Sequence, residues 1–210
     1  MEVKEFWHDV VTKKSWEFLL KFSKKHKFIL IGGWAAYLWT KTHKSKDIDI
    51  IVDYETLYSL KNEFNIIKNE RLKKYEIKEG EFDIDIYLPY YSKLTVPIEI
   101  IKEYSVVVQS IKVPTPEILI LLKQGAELER RGTPKGKKDV IDILTILIHT
   151  DFSLSIYKKI VKKLNLNKFT KELFNTIKGF NIKELFYIGI NANEYAKWKK
   201  NFLKELVINN

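Results

Sequence analysis

The sequence predicts an α+β fold, with a mixed β-sheet of about four or five strands, helices on one face of the sheet and an α-helical C-terminal region. Three observations favour this class. Runs of β-branched residues at 28–31 and 47–52 are typical of buried strands. Residues 81–89 alternate between polar and apolar side chains, which is the pattern of a half-exposed strand. From residue 153 onwards, apolar residues recur at helical spacing.

The N-terminal half is predicted to alternate between helices and strands. Residues 2–25 carry apolar side chains at helical spacing and end in lysines, which suit the C-terminal end of a helix dipole. The expected elements after this helix are a strand over 28–31, a turn at Gly32 and Gly33, a short helix over 34–40, a polar link over 41–46, a strand over 47–52, a helix over 54–64, an edge strand over 75–77 and a strand over 81–89.

The C-terminal half is predicted to be helical after one hairpin-like segment at 104–113. Thr115 and Pro116 are suited to the N-cap and the first position of a helix over 116–130. A loop over 132–136 then precedes a helix that begins at residue 137. We place a domain boundary near residues 149–152, so that domain 1–150 is followed by a basic helical region, 151–210.

The composition excludes several classes of site. The chain of 210 residues is 45% hydrophobic and 13% aromatic, as expected for a globular protein. It has no cysteine, which excludes disulfides, thiolate nucleophiles and cysteine-ligated zinc. Its four histidines show no HExxH spacing. No apolar run is long enough for a signal peptide or a membrane span, so we expect a cytoplasmic protein without a membrane partner.

The net charge of +10 is unevenly distributed. Residues 1–46 carry ten basic against four acidic residues, and residues 151–210 carry twelve against five. Residues 47–150 carry fifteen against eighteen, so basic ends flank an acidic centre. This distribution suits a metal-binding core with basic arms that hold a phosphate-rich partner such as RNA. The alternative, that most of these lysines are simply solvated, stays open.

Two strands carry acidic residues on one face. Asp47 and Asp49 alternate along the strand over 47–52, so both point the same way, roughly 7 Å apart. Two carboxylates on one face repel each other, and a hard divalent ion such as Mg²⁺ relieves the repulsion. In the strand over 81–89, Asp83 and Asp85 share a polar face with Glu81 and Tyr87. An ordinary half-exposed strand would show the same alternation.

Gly32-Gly33 followed by Ser45-x-Asp47-x-Asp49 resembles the polymerase-β-like nucleotidyltransferase superfamily, in particular its small toxin-type and antibiotic-type branches. The resemblance implies a nucleotidyltransferase-like fold and Mg²⁺-dependent transfer of a nucleoside monophosphate, with Mn²⁺ able to replace Mg²⁺. It implies that Asp47 and Asp49 ligate the metals and that Asp85 is the third ligand and the catalytic base. Asp83 shares the face of Asp85 and stays an alternative.

The same resemblance implies nucleotide-binding roles for Gly32, Gly33 and Ser45. Backbone N–H groups at the glycines would face the phosphates, and Ser45 would lie beside the triphosphate. A tight turn and a local capping serine are the simpler interpretations of these residues. The chain departs from many relatives at His43, where they carry arginine, and at Trp34, where they carry serine.

A second block, residues 112–147, resembles a segment found downstream in these small nucleotidyltransferases. It implies that Lys123 reaches the nucleotide's phosphates and that Lys138, Asp139 and Asp142 brace it or contact the nucleotide. The alternative is a helix N-terminus with acidic residues in its first turn.

The expected activity is transfer from a nucleoside triphosphate such as ATP to an acceptor hydroxyl. The acceptor could be an RNA 3′ end such as that of tRNA, a protein side chain or a small molecule. The second hypothesis is a non-catalytic nucleic-acid-binding or partner-binding module on the same fold, for example one half of a toxin–antitoxin pair.

Overall fold

The computed structural model describes residues 9–208, so the part of the first predicted helix that precedes residue 9 lies outside the described residues. The N-terminal elements are α1 (Asp9–Ser23), β1 (Ile29–Ile31), α2 (Gly32–Thr40), β2 (Ile48–Ile51), α3 (Tyr54–Glu63), β3 (Ile66–Asn69), β4 (Lys74–Lys78) and β5 (Asp83–Tyr87). They are followed by α4 (Ile98–Glu103), β6 (Ser105–Val108), β7 (Ile111–Pro114), α5 (Pro116–Arg130) and α6 (Pro134–His149). The C-terminal helices are α7 (Leu154–Lys163), α8 (Lys168–Gly179), a 3₁₀ turn (Ile182–Glu184), α9 (Leu185–Ile188) and α10 (Ala192–Ile208).

The α+β class predicted from the sequence is confirmed. Within the described part of the chain, the strands form one mixed sheet of seven in the order β3-β4-β5-β2-β1-β7-β6. Strand β2 is central, antiparallel to β1 and parallel to β5. Its register places Asp49 beside Ile31 of β1 and beside Asp85 of β5. Because paired residues on neighbouring strands point to the same face, Asp49 and Asp85 share one face of the sheet.

Three details of the sheet differ from the prediction. The sheet has seven strands among the described residues, not four or five, because β3 and the two strands of the 104–113 hairpin join it. Strand β4 pairs on both sides, so β3 and not β4 forms that edge. Helices also contact both faces: Phe18 of α1 packs against Phe82 beside the apolar face of β5, whereas α5 lies over the acidic face.

Two helices begin earlier than predicted. Helix α6 begins at Pro134 because Thr133 caps it, its hydroxyl accepting a hydrogen bond from the N–H of Gly136. The predicted loop over 132–136 therefore ends inside the first turn of α6. Helix α2 begins directly after β1, at Gly32, without a separate turn.

The C-terminal helices share one hydrophobic core with the sheet. Buried residues of α7 and α8 belong to the same cluster as the isoleucines of β1, β2 and β5. Gln124 of α5 joins these helices by hydrogen bonds, because its amide N–H₂ donates to the carbonyl of Phe169 and its oxygen accepts from the Tyr157 hydroxyl. No helix within residues 9–208 has the length and apolarity needed to cross a membrane. The predicted division at residues 149–152 stays a prediction.

Helix α5 packs very closely on the segment that follows β5. A Cβ atom at Gly125 would lie 1.7 Å from Thr95 Oγ1 and 2.8 Å from Thr95 Cβ. We predict that Gly125→Ala lowers the free energy of unfolding by about 1–3 kcal/mol, although alanine favours helix by about 1 kcal/mol. Gly179→Ala, at a helical site with no atom within 4 Å of the added methyl, is the control and should not destabilise. Equal stability of the two variants in urea denaturation would contradict this packing.

Candidate functional site

A cavity of about 410 Å³ lies between the acidic face of the sheet and helices α5 and α6. Seven residues that the sequence predicted to be catalytic, metal-binding or nucleotide-binding line this cavity, whereas Asp83, the alternative to Asp85, does not. The seven are Gly32, Gly33, Ser45, Asp47, Asp49, Asp85 and Lys123. The structure therefore brings together residues that are up to 91 positions apart in the chain.

The two aspartates of β5 differ in their surroundings. Asp85 lines the cavity, and its side chain is 18% exposed. The side chain of Asp83 is 39% exposed, pairs with Lys78 at 2.8 Å and does not line the cavity. The backbone N–H of Asp83 nevertheless donates to Asp47 Oδ1 at 3.3 Å. Of the two alternatives, Asp85 is the one beside Asp49.

Each of the three cavity carboxylates has its own partner. Lys74 Nζ lies 2.6 Å from Asp85 Oδ2, and Lys135 Nζ lies 3.4 Å from Asp47 Oδ2. The Tyr87 hydroxyl donates to Asp49 Oδ1 at 3.4 Å. With the side chains in these positions, no group of three or more acidic or histidine residues among residues 9–208 is arranged to hold a metal ion.

The three carboxylates remain short of positive charge. Burial, followed by the negative charges of Asp85 and Asp47, raises the pKa of Asp49 to about 7, against the opposing effect of Lys123 and Lys74. Burial also raises the pKa of Asp85, although its hydrogen bond from Lys74 opposes this. Carboxylate oxygens are the ligands that Mg²⁺ prefers, and a divalent ion would remove the repulsion that these raised pKa values record. The donor set therefore fits such an ion.

The two glycines are required by side chains of the site. Gly32 has a φ of +69°, and a Cβ atom there would lie 2.1 Å from Asp49 Oδ2. A Cβ atom at Gly33 would lie 2.5 Å from Ser45 Oγ. The backbone at the start of α2 thus approaches Asp49 and Ser45 more closely than any other residue would allow.

Ser45 and Trp34 are tied to helix α1 through one hydroxyl. Trp34 Nε1–H donates to Ser15 Oγ at 3.1 Å, and Ser15 Oγ donates to the carbonyl of Ser45 at 3.2 Å. The Ser45 hydroxyl donates to the carbonyl of Asp47 at 3.1 Å. Trp34 is buried in the core and does not line the cavity, so it supports the loop around Ser45 from the side of α1.

Lys123 belongs to a buried charge cluster of α5 and α6. Its Nζ lies 3.1 Å from Asp139 Oδ1 and 2.6 Å from Asp142 Oδ2. Arg130 donates to both oxygens of Asp139, at 2.6 and 2.8 Å, and Lys138 pairs with Asp142. Burial opposes the charge of Lys123, but Asp142 and Asp139 raise its pKa above the usual value. Because α6 begins at Pro134, Asp139 and Asp142 lie beyond its first turn, which excludes the helix N-terminus alternative.

His43 connects the loop before β2 to the C-terminal helices. Its Nε2–H donates to the carbonyl of Tyr187 in α9. Burial, followed by the nearby charge of Lys138, lowers the pKa of His43, which is therefore neutral near pH 7. The neutral imidazole of His43 thus holds the loop and does not line the cavity.

Two site residues, Lys74 and Lys135, were not predicted from the sequence. They are the lysines that pair with Asp85 and Asp47. Lys74 lies on β4 with Glu76, which pairs directly with Asp85 in the antiparallel register. Alternation in Lys74-x-Glu76-x-Lys78 predicts a charged face. The register with β5, which decides which lysine meets Asp85, cannot be read from the sequence.

We predict that Asp49→Asn stabilises the metal-free protein in a pH-dependent way. Between pH 3.8 and about 7 the folded state retains a proton on Asp49 that the unfolded state has released. The free energy of unfolding that is lost by ionising Asp49 is therefore zero below this pH window, grows as pH rises through it and reaches its full value above it. We expect Asp49→Asn to gain about 1–2 kcal/mol at pH 8, after allowance for water in the cavity, and none of this gain at pH 4.

Urea denaturation in the presence of a chelator measures this difference. Asp83→Asn is the matched control, because Asp83 lies on the neighbouring strand outside the cavity. A gain for Asp49→Asn that is the same at pH 4 and pH 8 would contradict the raised pKa.

We predict that Lys123→Met costs about 3 kcal/mol of unfolding free energy, because it leaves Asp139 and Asp142 with less positive charge in a buried cluster. The control is Lys163→Met. Lys163 pairs with Glu103, and the two side chains are 47% and 54% exposed, so its loss should cost less than about 1 kcal/mol. If thermal or urea denaturation gives the same cost for both variants, the cluster does not stabilise the fold in this way.

Comparisons with known proteins do not identify a family for this chain. No family model matches the chain, and no curated protein matches it. Among solved structures, the crystal structure of JHP933 from Helicobacter pylori is similar over 95% of this chain and 97% of that chain. The sequence identity is 16% and the TM-score is 0.48.

Proposed function

We propose that the protein is a magnesium-dependent nucleotidyltransferase of the polymerase-β-like type, which moves a nucleoside monophosphate from a nucleoside triphosphate to an acceptor hydroxyl. The observation that supports this most directly is that Asp47, Asp49 and Asp85 line one cavity together with Gly32 and Gly33 at the start of α2. The resemblance to this superfamily rests on the same residues and their spacing in the sequence.

The proposed roles of the carboxylates follow from their positions. Asp47 and Asp49 would hold the divalent ions, and Asp85 would complete the ligand set from the neighbouring strand. When bound, such ions lower the pKa of an attacking hydroxyl and neutralise charge on the transferring phosphate. Asp85 would accept the proton of the acceptor hydroxyl on a carboxylate oxygen, since burial and its neighbours already raise its affinity for a proton.

The nucleotide's phosphates would face the positive side of the cavity. Lys123, Lys138 and Arg130 outnumber Asp139 and Asp142, so the cluster of α5 and α6 carries an excess of positive charge toward the cavity that Lys123 lines. The backbone at Gly32 and Gly33 begins a nine-residue helix, whose N–H groups favour anions. Lys123 would act as a fixed charge held by Asp139 and Asp142, and not as an extended arm.

The acceptor and the nucleotide are identified by experiment. The basic flanks favour an RNA 3′ end such as that of tRNA, while a protein side chain or a small molecule would also supply a hydroxyl. ATP is the first triphosphate to test. Labelled nucleoside triphosphates would be incubated with the purified protein, Mg²⁺ or Mn²⁺, and total RNA, total protein or small hydroxyl compounds in separate reactions.

We predict that the wild type transfers label and that Asp49→Asn and Asp85→Asn each reduce the rate at least about 100-fold, as expected when a metal ligand is lost. Asp83→Asn is the matched control. It removes the same charge from β5, the strand of Asp85, but outside the cavity, and should keep activity within about threefold.

Two results would contradict the proposal. One is the absence of transfer to any acceptor by the wild type; the other is undiminished transfer by Asp49→Asn. RNA binding that is salt-sensitive but indifferent to Mg²⁺ and to the loss of Asp47 would instead support the non-catalytic nucleic-acid-binding alternative.

A further inference from the structure

Strand β4 places a lysine against the third carboxylate of the cavity. Lys74 Nζ lies 2.6 Å from Asp85 Oδ2 and 3.0 Å from Glu76 Oε1, and its side chain is only 12% exposed. Lys74 itself lines the cavity. The ammonium group of Lys74 therefore lies next to Asp85, in the cavity that Asp49 also lines.

The sheet register explains why a cation is needed there. Glu76 is directly opposite Asp85 on the antiparallel pair β4–β5, and Asp85 is directly opposite Asp49 on the parallel pair β5–β2. Three acidic residues thus follow one another across three strands on the same face. Like charges directly opposite each other destabilise a sheet, and Lys74 contacts two of these three.

A second lysine on the same strand repeats the arrangement outside the cavity. Lys78 Nζ lies 2.8 Å from Asp83 Oδ2 and 3.4 Å from Glu76 Oε2, but its side chain is 48% exposed. Lys74 and Lys78 therefore share Glu76 and each pairs with one aspartate of β5. They differ in burial and in the fact that Lys74 alone of the two lines the cavity.

We infer that Lys74 is the built-in counter-ion of the proposed metal site: its ammonium group neutralises Asp85 when no divalent ion is bound, and a divalent ion displaces it. This inference rests on the metal-binding part of the proposed function. The contacts that carry it are the two ion pairs of Lys74 and the acidic row Glu76–Asp85–Asp49, in which Lys74 is the lysine that pairs with Asp85.

The ion pair of Lys74 accounts for the arrangement of the carboxylates. Asp85 is turned to Lys74, so the carboxylates are not gathered into a ready-made metal site among the described residues. A divalent ion that binds Asp85 Oδ2 would replace Lys74 there, and Lys74 would otherwise repel the ion at close range. Since Glu76 remains next to Lys74, the displaced ammonium group keeps one carboxylate partner.

Mn²⁺ binding to the nucleotide-free protein tests the inference without any enzyme assay. We predict that Lys74→Met, which keeps the aliphatic stem and removes the charge, binds Mn²⁺ at least about tenfold more tightly than the wild type at pH 8 in titration calorimetry. Lys78→Met is the matched control and should change the affinity less than about threefold, because Lys78 is exposed and its partner Asp83 is outside the cavity.

A second measurement uses the wild type and does not depend on a variant folding. Acetylation of lysines, quantified by mass spectrometry, should increase at Lys74 several-fold when Mn²⁺ saturates the protein, since the ion pair that protects it is broken. Labelling of Lys78 in the same sample is the internal control and should not change.

The inference is overturned if Lys74→Met binds Mn²⁺ no more tightly than the wild type, if Lys78→Met tightens binding equally, or if Mn²⁺ leaves the labelling of Lys74 unchanged. Failure of the two proposals can be told apart. Tighter binding by Lys74→Met without any nucleotidyl transfer would leave the counter-ion role standing and remove the enzyme. Nucleotidyl transfer by the wild type, together with an unchanged Mn²⁺ affinity of Lys74→Met, would support the enzyme and remove the counter-ion role.

Discussion

Repulsion between carboxylates on one face of the central sheet is the constraint on which the rest of the site depends. Asp47 and Asp49 lie two residues apart on one chain segment, and Asp85 pairs directly with Asp49 from the next strand. Burial makes their charges costly, as the raised pKa values of Asp49 and Asp85 record. A fold selected for stability alone would have no reason to keep this set, because apolar or singly charged residues would satisfy the same strands.

Positively charged residues on two sides of the cavity offset this repulsion. Lys74 and Lys135 contact Asp85 and Asp47 directly, from β4 and from the first turn of α6. The cluster around Lys123 supplies a second positive region on α5 and α6, and it contributes to the electrostatic environment of Asp49. The close approach of α2 to Asp49, possible because residue 32 is glycine, closes the third side of the cavity. Each of these partners lies on a different element, so the cavity exists only in the complete fold.

The C-terminal helices contribute to this arrangement although they supply no carboxylate. Gln124 of α5 is held by Phe169 and Tyr157, which fixes the helix that carries Lys123. His43 reaches α9 and thereby anchors the loop that leads to Ser45 and Asp47. A basic helical region that was recognised in the sequence by its charge therefore also has a structural role in positioning the site.

The sequence predicted the local elements and the acidic strands well, because alternation and helical spacing are local properties. Strands at 28–31, 47–52 and 81–89 and the hairpin at 104–113 match β1, β2, β5 and β6–β7 within a few residues. The sequence did not predict how the strands and side chains pair. It did not show that β3 forms the edge, or that Lys74 faces Asp85 and Lys78 faces Asp83. The burial of Trp34 was not predicted either. These depend on strand register and on contacts between distant segments, which no local pattern encodes. The start of α6 was missed for a different reason, since Thr133-Pro134 is a helix start that Gly132 and Gly136 obscured.

The most direct test of the account is a crystal structure of the protein grown with Mn²⁺ and a non-hydrolysable nucleoside triphosphate, with anomalous diffraction used to locate the ion. The account predicts an anomalous peak within coordination distance of oxygens of both Asp49 and Asp85, with Lys74 moved away from Asp85. A fully bound nucleotide whose Mn²⁺ lies away from Asp49 and Asp85, or crystals in which the Lys74–Asp85 ion pair persists with no peak in the cavity, would contradict it.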